Sequence, residues 1–374
     1  MKVFFKVIKY LFIILALLVF VVFLFVNISP QFGDSPDKNS KNVIENSKNS
    51  IGNEFVNLDP VTVNTKSVNS TNEKSPSLMD WISPAKGKNP SKSLPSIKFQ
   101  SDNLTAGKFV WLGHSTILIN ISGLIVMTDP VFNRASPIPV FGKPFPIENP
   151  ITINDLPDVD VVVISHDHYD HLDTKAIKIL SKKVNHFFVP LGVKAHLVSW
   201  GVDSEKVSEL DWYDEKKYND VNFILTPAQH FSGRGITNRN STLWGSWVIS
   251  SNTLKVYHSG DSGYSDSFKK IGEKFGPFDI AFIENGGYHA DWSKIHMFPD
   301  EVVQSSIDLK AKVFVPISWS KFDLSVHTWD DPIIRATEVA KNRNVNISTP
   351  MIGEIFDLNN LPTVHWWKVL RNKL

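Results

Sequence analysis

Nine consecutive residues near the middle of the chain concentrate side chains that can bind metal. Residues 165–173 read Ser-His-Asp-His-Tyr-Asp-His-Leu-Asp and follow directly on 159–164, an apolar, mostly β-branched run that predicts a buried strand. In an extended segment His166 and His168 point the same way, and Asp170 and His171 follow where the chain turns. Imidazole and carboxylate groups at this spacing suit Zn²⁺ and similar divalent cations. A solvated polar loop is the alternative interpretation.

Composition limits the ligands and partners of such a site. The 374-residue chain has no cysteine, so a metal must be held by histidine and carboxylate rather than by thiolate. A formal net charge of +1 gives no broad attraction to nucleic acid, and we expect no nucleic-acid partner. The length allows two domains or one large domain with appendages, and nothing in it predicts an oligomeric state.

The first 28 residues predict a transmembrane anchor. Residues 10–28 contain no charge, and as a helix they would extend about 28 Å, close to the thickness of a bilayer's hydrocarbon core. Lys2, Lys6 and Lys9 precede the run, which predicts a cytoplasmic N-terminus and places the rest of the chain on the extracytoplasmic side. A cleaved signal peptide is the alternative, although no clear cleavage site follows the run.

Residues 29–95 predict a flexible linker. They are rich in Asn, Ser, Lys and Pro, and a coil of this length would typically reach about 45 Å. Near its end, Trp81 is expected to dock on the domain that follows. That domain is expected over residues 96–374.

The rest of the chain predicts an α/β domain. Short strands are expected at 109–112, 116–121 and 124–127, followed by a proline-rich loop at 131–150 of a length that is often functional. Strands and helices then alternate from residue 159 to residue 342. This order predicts two sheets packed face to face with helices outside.

Later strand ends supply further candidate ligands. His230, Asp261 and His327 each follow a predicted strand, and His296 precedes a predicted helix, where it could meet a phosphate. His114, in an early turn, would either orient a ligand or only satisfy the turn. Taken singly, such residues are more often capping or solvated groups.

In this order the motifs resemble those of the metallo-β-lactamase-fold hydrolases, and most closely the N-acyl phosphatidylethanolamine phospholipase D group. Ascorbate 6-phosphate lactonase is a more distant relative. The resemblance spans about residues 96–345. It rests first on the order His-x-His-x-Asp-His at 166–171, the lone His230, Gly-Asp at 260–261 and a late histidine. Five segments also match the group: 111–116, 128–132, 229–234, 259–264 and 296–301. It implies a four-layer αββα sandwich of the metallo-β-lactamase type.

The resemblance also implies a dinuclear zinc centre. One zinc would be held by His166, His168 and His230, the second by Asp170, His171 and His327, and Asp261 would bridge both. Asp170, Asp261 and His296 would be the catalytic residues. Two cations about 3.5–4 Å apart lower the pKa of a shared water and stabilise the attacking and leaving oxygens. Mn²⁺ or Fe²⁺ could occupy the same ligands.

The implied substrate is a phospholipid or another phosphodiester. Cleavage on the head-group side would give phosphatidic acid and an acylated ethanolamine, and the anchor would hold the enzyme near a bilayer. The chain departs from the group at residues 319–322, Trp-Ser-Lys-Phe in place of Trp-Gly-Thr-Phe, and in part at 286–292. Two alternatives stay open, a hydrolase of a soluble phosphorylated sugar lactone and a metal-binding protein without enzymatic activity.

Overall fold

The structure, a computed structural model, describes residues 2–61, 75–77, 79–80 and 87–371, and the docking predicted for Trp81 lies outside them. Its helices are α1 Lys2–Ile28, α2 Lys38–Glu45, α3 Thr174–Leu180, α4 Lys194–Ser199, α5 Ser267–Lys274, α6 Pro299–Asp308, α7 Asp331–Arg343 and α8 Lys368–Arg371. Its strands are β1 Ser50–Ile51, β2 Glu54–Phe55, β3 Lys108–Trp111, β4 Ile117–Ile121, β5 Leu124–Thr128, β6 Val159–Val163, β7 Val184–Pro190, β8 Val207–Leu210, β9 Glu215–Tyr218, β10 Val221–Thr226, β11 Ser246–Ser250, β12 Lys255–His258, β13 Ile280–Glu284, β14 Phe314–Ile317 and β15 Ile355–Asp357.

Two large sheets form the framework of the domain. The first has the strand order β15-β3-β4-β5-β6-β7-β8 and the second the order β14-β13-β12-β11-β10-β9. Strands β5 to β8 pair in parallel in the first sheet, as do β12 to β14 in the second. Because the carboxyl ends of parallel strands meet at one edge of a sheet, the loops after β6 and after β12 to β14 lie where side chains can converge.

Three apolar layers hold the sheets and helices together. Ile117 and Ile119 of β4 and Phe223 of β10 pack in the core between the sheets. Their neighbours Leu118 and Ile224 point to the outer faces, where α3 and α4 cover the first sheet and α5, α6 and α7 cover the second. This alternation follows from the two-residue period of a strand. The resulting αββα order confirms the predicted fold class.

α1 has the length and composition to cross a membrane. The apolar span covers Val3–Ile28, and none of its most apolar window is buried within the described part of the chain. An N-terminal apolar helix is therefore confirmed, while its orientation stays a prediction.

Residues 29–58, here called the strap, differ from the predicted flexible coil. Ile44 of α2 and Phe55 of β2 are buried against the core between the sheets. The backbone N–H of Phe55 donates to the carbonyl oxygen of Asn240 at 2.8 Å. The amino-acid composition did not predict this packing, because two buried apolar side chains and local hydrogen bonds are enough to hold a polar segment against an existing surface.

Candidate metal centre

The loops after β6 and β10 bring three imidazoles together. The ligand atoms of His166, His168 and His230 all lie within 4.8 Å of one another. His166 Nε2 lies 2.9 Å and His230 Nε2 lies 3.2 Å from His168 Nδ1. In a tetrahedral zinc site with Zn–N bonds of about 2.0–2.1 Å, ligand nitrogens are about 3.3 Å apart. The three nitrogens therefore have nearly the spacing that one cation requires.

Contacts behind these rings favour the protonation state that binds metal. His230 Nδ1 lies 3.0 Å from the carbonyl oxygen of Ile295, which can only accept, so Nδ1 donates and Nε2 keeps its lone pair. Ser165 Oγ donates its hydrogen to Asp129 Oδ2, so it accepts from His166 Nδ1 at 2.9 Å. Burial lowers the pKa of His166, His168 and His230, so the rings are neutral near pH 7. Neutral imidazole is the form that binds a metal.

A second group lies beside the first. The ligand atoms of His114, Asp170 and His171 are also within 4.8 Å of one another, and His114 Nε2 lies 3.0 Å from Asp170 Oδ2. Asp261, after β12, belongs to one cluster with His166 and His171, and its Oδ2 lies 3.1 Å from His171 Nε2. Asp261 thus lies between the two groups, which is where a bridging carboxylate would have to be.

The donor set of the second group suits a cation. Burial alone would lower the pKa of His171, but the carboxylates of Asp261 and Asp170 outweigh it and raise this pKa well above its usual value. His171 Nε2 is buried and has no aligned hydrogen-bond partner in the described part of the chain, although Asp261 Oδ2 is near. The buried nitrogen and the two carboxylates face one point. Together they stabilise a positive charge there, which is what the binding of a divalent cation requires.

Asp129 orients this arrangement from behind. Its carboxylate accepts hydrogen bonds from the backbone N–H and the hydroxyl of Ser165, both at 2.7 Å, and from His171 Nδ1 at 2.8 Å. The last bond turns His171 Nε2 toward Asp170 and Asp261. Asp129 had no predicted role. The sequence signal for a role of Asp129 was the Asp-Pro pair at the end of an apolar strand. A carboxylate at that position is buried and needs hydrogen-bond donors.

His327, predicted as a ligand, is in neither group. Its ring stacks on Tyr288 with the ring centroids 4.5 Å apart, and its Nδ1 lies 2.9 Å from the carbonyl oxygen of Thr328. Burial lowers the pKa of His327. The structure therefore does not bring His327 to the other candidate ligands.

Ser318 and His114 contact the carboxylates of the two groups instead. The chain leaves β14 at Ser318, in the left-handed region with φ 62°, and Ser318 Oγ donates to Asp261 Oδ1 at 3.1 Å. His327 lies nine residues further along, past this turn. The sequence pattern pointed to a histidine after β14, whereas the structure places a serine there and brings His114 from the loop after β3.

His296 lies at the edge of the first group. Its ring centroid is 5.2 Å from that of His230, and its Nδ1 lies 2.9 Å from Glu284 Oε2. Burial raises the pKa of Glu284 to about 7. Burial alone would lower the pKa of His296, but Glu284 outweighs it and raises this pKa to about 9. His296 is thereby held as a cationic donor.

A cavity of about 310 Å³ opens onto both groups. Polar and apolar side chains share its lining, among them His168, Asp170, Asp261 and His296 with Phe231, Trp292, Ile295 and Leu324. Apolar walls around a few polar groups are typical of small-molecule sites. The cavity places His296 beside the candidate ligands, where a bound anionic group would lie.

The two departures noted in the sequence differ in position. Gly286, Gly287 and Trp292 line the cavity, as expected of a segment near the substrate. Lys321, in contrast, donates to the carbonyl oxygens of Leu112 at 3.1 Å and Val131 at 2.7 Å. Burial lowers the pKa of Lys321 to about 8. Lys321 joins two loops and does not line the cavity.

Asp167, between the first two histidines, is bonded to the surrounding protein. Its carboxylate accepts from the Gly233 backbone N–H at 2.8 Å and from Thr242 Oγ1 at 3.0 Å. Burial would raise the pKa of Asp167, but His196 and these donors outweigh it and lower the pKa to about 2. Arg234 Nη1 donates to the carbonyl oxygen of Asp167 at 2.5 Å and to that of Leu172 at 2.9 Å. The loop that carries the candidate ligands His166 and His168 is thus held at both ends.

The strap also reaches the first group. Asn57 Nδ2 donates to the carbonyl oxygen of His230 at 2.8 Å, and Asn57 Oδ1 accepts from the His230 backbone N–H at 3.0 Å. This reciprocal pair fixes the backbone of His230. A segment predicted as a free linker therefore positions a candidate ligand.

Asn57→Ala is expected to weaken zinc binding about tenfold, because loss of a partner that orients a ligand typically costs that much or more. Competition with a chromophoric chelator measures the affinity. Asn39→Ala, an exposed position in the same strap, is the matched control. Equal zinc affinities in the two variants would contradict the role of Asn57.

Known proteins share both sequence and fold with this chain. Residues 125–319 match the family described as Beta-lactamase superfamily domain. The chain is 37% identical over 338 residues to an uncharacterized protein of Mycobacterium tuberculosis, which covers 87% of this chain and 89% of that protein. It is 35% identical over 302 residues to N-acyl-phosphatidylethanolamine-hydrolyzing phospholipase D 1 of Caenorhabditis elegans, with coverages of 72% and 85%. Igni18, a metallo hydrolase of Ignicoccus hospitalis, has a TM-score of 0.52 at 21% identity over 67% of this chain and 97% of that chain, a likeness of fold alone.

Proposed function

The chain belongs to the β-lactamase superfamily as a metallo-hydrolase that resembles the N-acyl-phosphatidylethanolamine phospholipases D, and from this premise we propose that it is a membrane-anchored phospholipase D with a dinuclear metal centre. The observation that carries the proposal is the position of Asp261 between two groups of candidate ligands. A single-metal site would need only one of these groups.

Six predicted residues and one addition form the proposed centre. His166, His168 and His230 hold the first cation, Asp170, His171 and His114 the second, and Asp261 lies between them. We propose Zn²⁺ for both, with Mn²⁺ or Fe²⁺ as alternatives for the same nitrogen and oxygen ligands. When bound, such a pair supplies an activated water and neutralises charge on a phosphodiester.

The chain's own groups around the centre bind and orient the substrate. Positively charged His296 lies where it can donate to a phosphate oxygen. The apolar wall of Phe231, Ile295 and Leu324 offers contact to acyl chains. Hydrolysis adds water to phosphorus and breaks the P–O bond to the ethanolamine, which yields phosphatidic acid and an N-acylethanolamine.

The anchor fits a substrate in a bilayer. α1 would span the membrane with its lysines in the cytoplasm, and the catalytic domain would lie on the extracytoplasmic side. A short distance between the anchor and the domain would keep the active site near its lipid.

The proposal is tested by offering the full-length protein N-acyl phosphatidylethanolamine in vesicles and, in parallel, a soluble phosphorylated sugar lactone. We expect phosphatidic acid to form from the first, with loss of activity on chelation and recovery with Zn²⁺. Faster hydrolysis of the lactone would favour the soluble-ester alternative. A metal-loaded protein without turnover on either substrate would favour a non-enzymatic role.

Two histidines compete for a role at the second group, and substitution separates them. His114→Ala is expected to lower the turnover about 100-fold and to reduce the metal content, because His114 lies 3.0 Å from Asp170. His327→Ala serves as the matched control and is expected to keep both. The reverse ranking of the two variants, in rates and elemental analysis, would restore the sequence-based assignment of His327.

A further inference from the structure

The chain that leaves α1 is fixed to the catalytic domain almost at once. Trp200 Nε1 donates to the carbonyl oxygen of Pro30 at 2.6 Å, and Arg234 Nε donates to that of Gln31 at 2.9 Å. Pro30 is only two residues beyond the end of α1 at Ile28, a distance of at most about 7 Å. A bilayer crossed by α1 therefore lies directly alongside this face of the domain.

A loop next to this connection exposes large apolar side chains. Ile138, Val140 and Phe141, here called the apolar tip, are 45%, 77% and 62% exposed. The tip adjoins the anchor because Gln31 Nε2 donates to the carbonyl oxygen of Pro137 at 2.5 Å. Several large apolar side chains that face water together mark a contact surface rather than a chance exposure.

The apolar tip is an ordered feature. The backbone N–H of Phe141 donates to the carbonyl oxygen of Ile138 at 3.1 Å, which closes a turn. Arg134 Nη1 donates to the carbonyl oxygen of Phe141 at 3.2 Å. These bonds hold the tip outward, so its exposure is built into the loop.

Basic side chains surround a cavity between the apolar tip and the strap. Arg134, Lys143 and Lys175 line this space of about 330 Å³ together with Gln31. The acidic residue in the lining, Asp173, is satisfied by backbone N–H groups of Phe132 at 3.1 Å and Asn133 at 2.8 Å. Cations beside an apolar tip match the order of layers at a membrane surface, where anionic head groups lie above hydrocarbon.

We propose that the catalytic domain rests on the bilayer that α1 crosses, with the apolar tip inserted among the lipids and the basic side chains at the level of the head groups. The inference rests on α1 spanning the membrane and does not depend on the reaction that the site catalyses. A lipid surface is the occupant that the structure favours, because Gln31, three residues beyond the end of α1, is bonded to Pro137 at the base of the tip. The domain is then held in one orientation, in place of the free motion that a long coil would allow.

Site-directed labelling tests this contact in the full-length protein. The chain has no cysteine, so a single substitution gives a unique site for a fluorescent label. We would label Val140→Cys, and as a matched control Val364→Cys, which is 64% exposed, in vesicles of phosphatidylcholine and phosphatidylglycerol. Leu15→Cys, within α1, reports whether the anchor spans the bilayer.

We expect aqueous iodide to quench the label at position 140 severalfold less than the label at position 364. A quencher attached to lipid chains should act in the opposite order. Equal accessibility of positions 140 and 364 to both quenchers, with position 15 inside the lipid, would overturn the proposal. Exposure of position 15 to iodide would instead remove its premise. Neither result would bear on the phospholipase activity.

Discussion

Asp261→Ala is expected to reduce turnover at least about 10³-fold, since the proposed metal pair would contribute several kcal/mol to the stabilisation of the transition state. Asp261 shares a cluster with His166 and His171 and a second cluster with His230 and His296, so both groups lose a carboxylate in this variant. Burial would raise the pKa of Asp261, but His171 and the other neighbouring imidazoles outweigh it and lower the pKa well below its usual value. The carboxylate is therefore ionised at neutral pH. Initial rates and elemental analysis of the same preparation measure the effect.

His186→Ala is the control for this variant. His186 is a half-buried histidine of β7 whose Nε2 lies 2.9 Å from Ser208 Oγ, away from both groups. It is expected to keep its metal and its rate. Full turnover in Asp261→Ala, with an unchanged metal content, would show that the carboxylate between the groups is not needed.

Arg234→Met is expected to lower the free energy of unfolding by about 3 kcal/mol, because each buried acceptor that loses its donor costs about 1–3 kcal/mol. Arg234 is fully buried and donates to the carbonyl oxygens of Gln31, Asp167 and Leu172. Its guanidinium also lies 4.0 Å from the ring centre of Tyr169. Methionine keeps the apolar stem but removes every donor. Denaturant unfolding of the full-length protein in detergent measures the change.

An exposed arginine provides the comparison. Arg343, at the end of α7, donates to Gln304 Oε1 at 3.1 Å on the surface, and Arg343→Met is expected to change the stability by less than about 0.5 kcal/mol. If the two arginine variants unfolded at the same denaturant concentration, Arg234 would not stabilise the loop that carries His166 and His168.

Local sequence patterns predicted the parts of this protein that depend on local spacing. β5 was expected at 124–127 and is found at Leu124–Thr128, because continuous apolar residues in a buried strand are visible in a short window. The approach of His168 to His166 follows from their two-residue spacing after β6. The position of His230 beside these histidines was predicted through the family resemblance, because its partners are more than 60 residues away along the chain.

Strands without a regular apolar pattern were not predicted from the sequence. β9 reads Glu-Lys-Lys-Tyr and lies at the edge of the second sheet, where its first three side chains are exposed. It forms a strand because its backbone pairs with that of β10. β8 and β15 were missed as well, and β15 pairs with β3 from more than 240 residues away. Such pairings are decided by tertiary contact rather than by local preference.

The place of His114 in the second group and the packing of the strap were not predicted for a related reason. His114 approaches Asp170 across 56 residues, and Asn57 reaches His230 across 173. No local pattern shows whether His327 approaches the other candidate ligands, because the turn at Ser318 is set by backbone geometry. Long-range geometry, rather than residue type, decides which polar side chains meet.

Anomalous X-ray scattering at the zinc edge, from crystals of the active protein, tests the dinuclear centre most directly. We predict two peaks separated by about 3.5–4 Å, one among His166, His168 and His230 and the other beside Asp170 and His171. A single peak in fully active protein, or a peak at His327, would contradict the proposed centre.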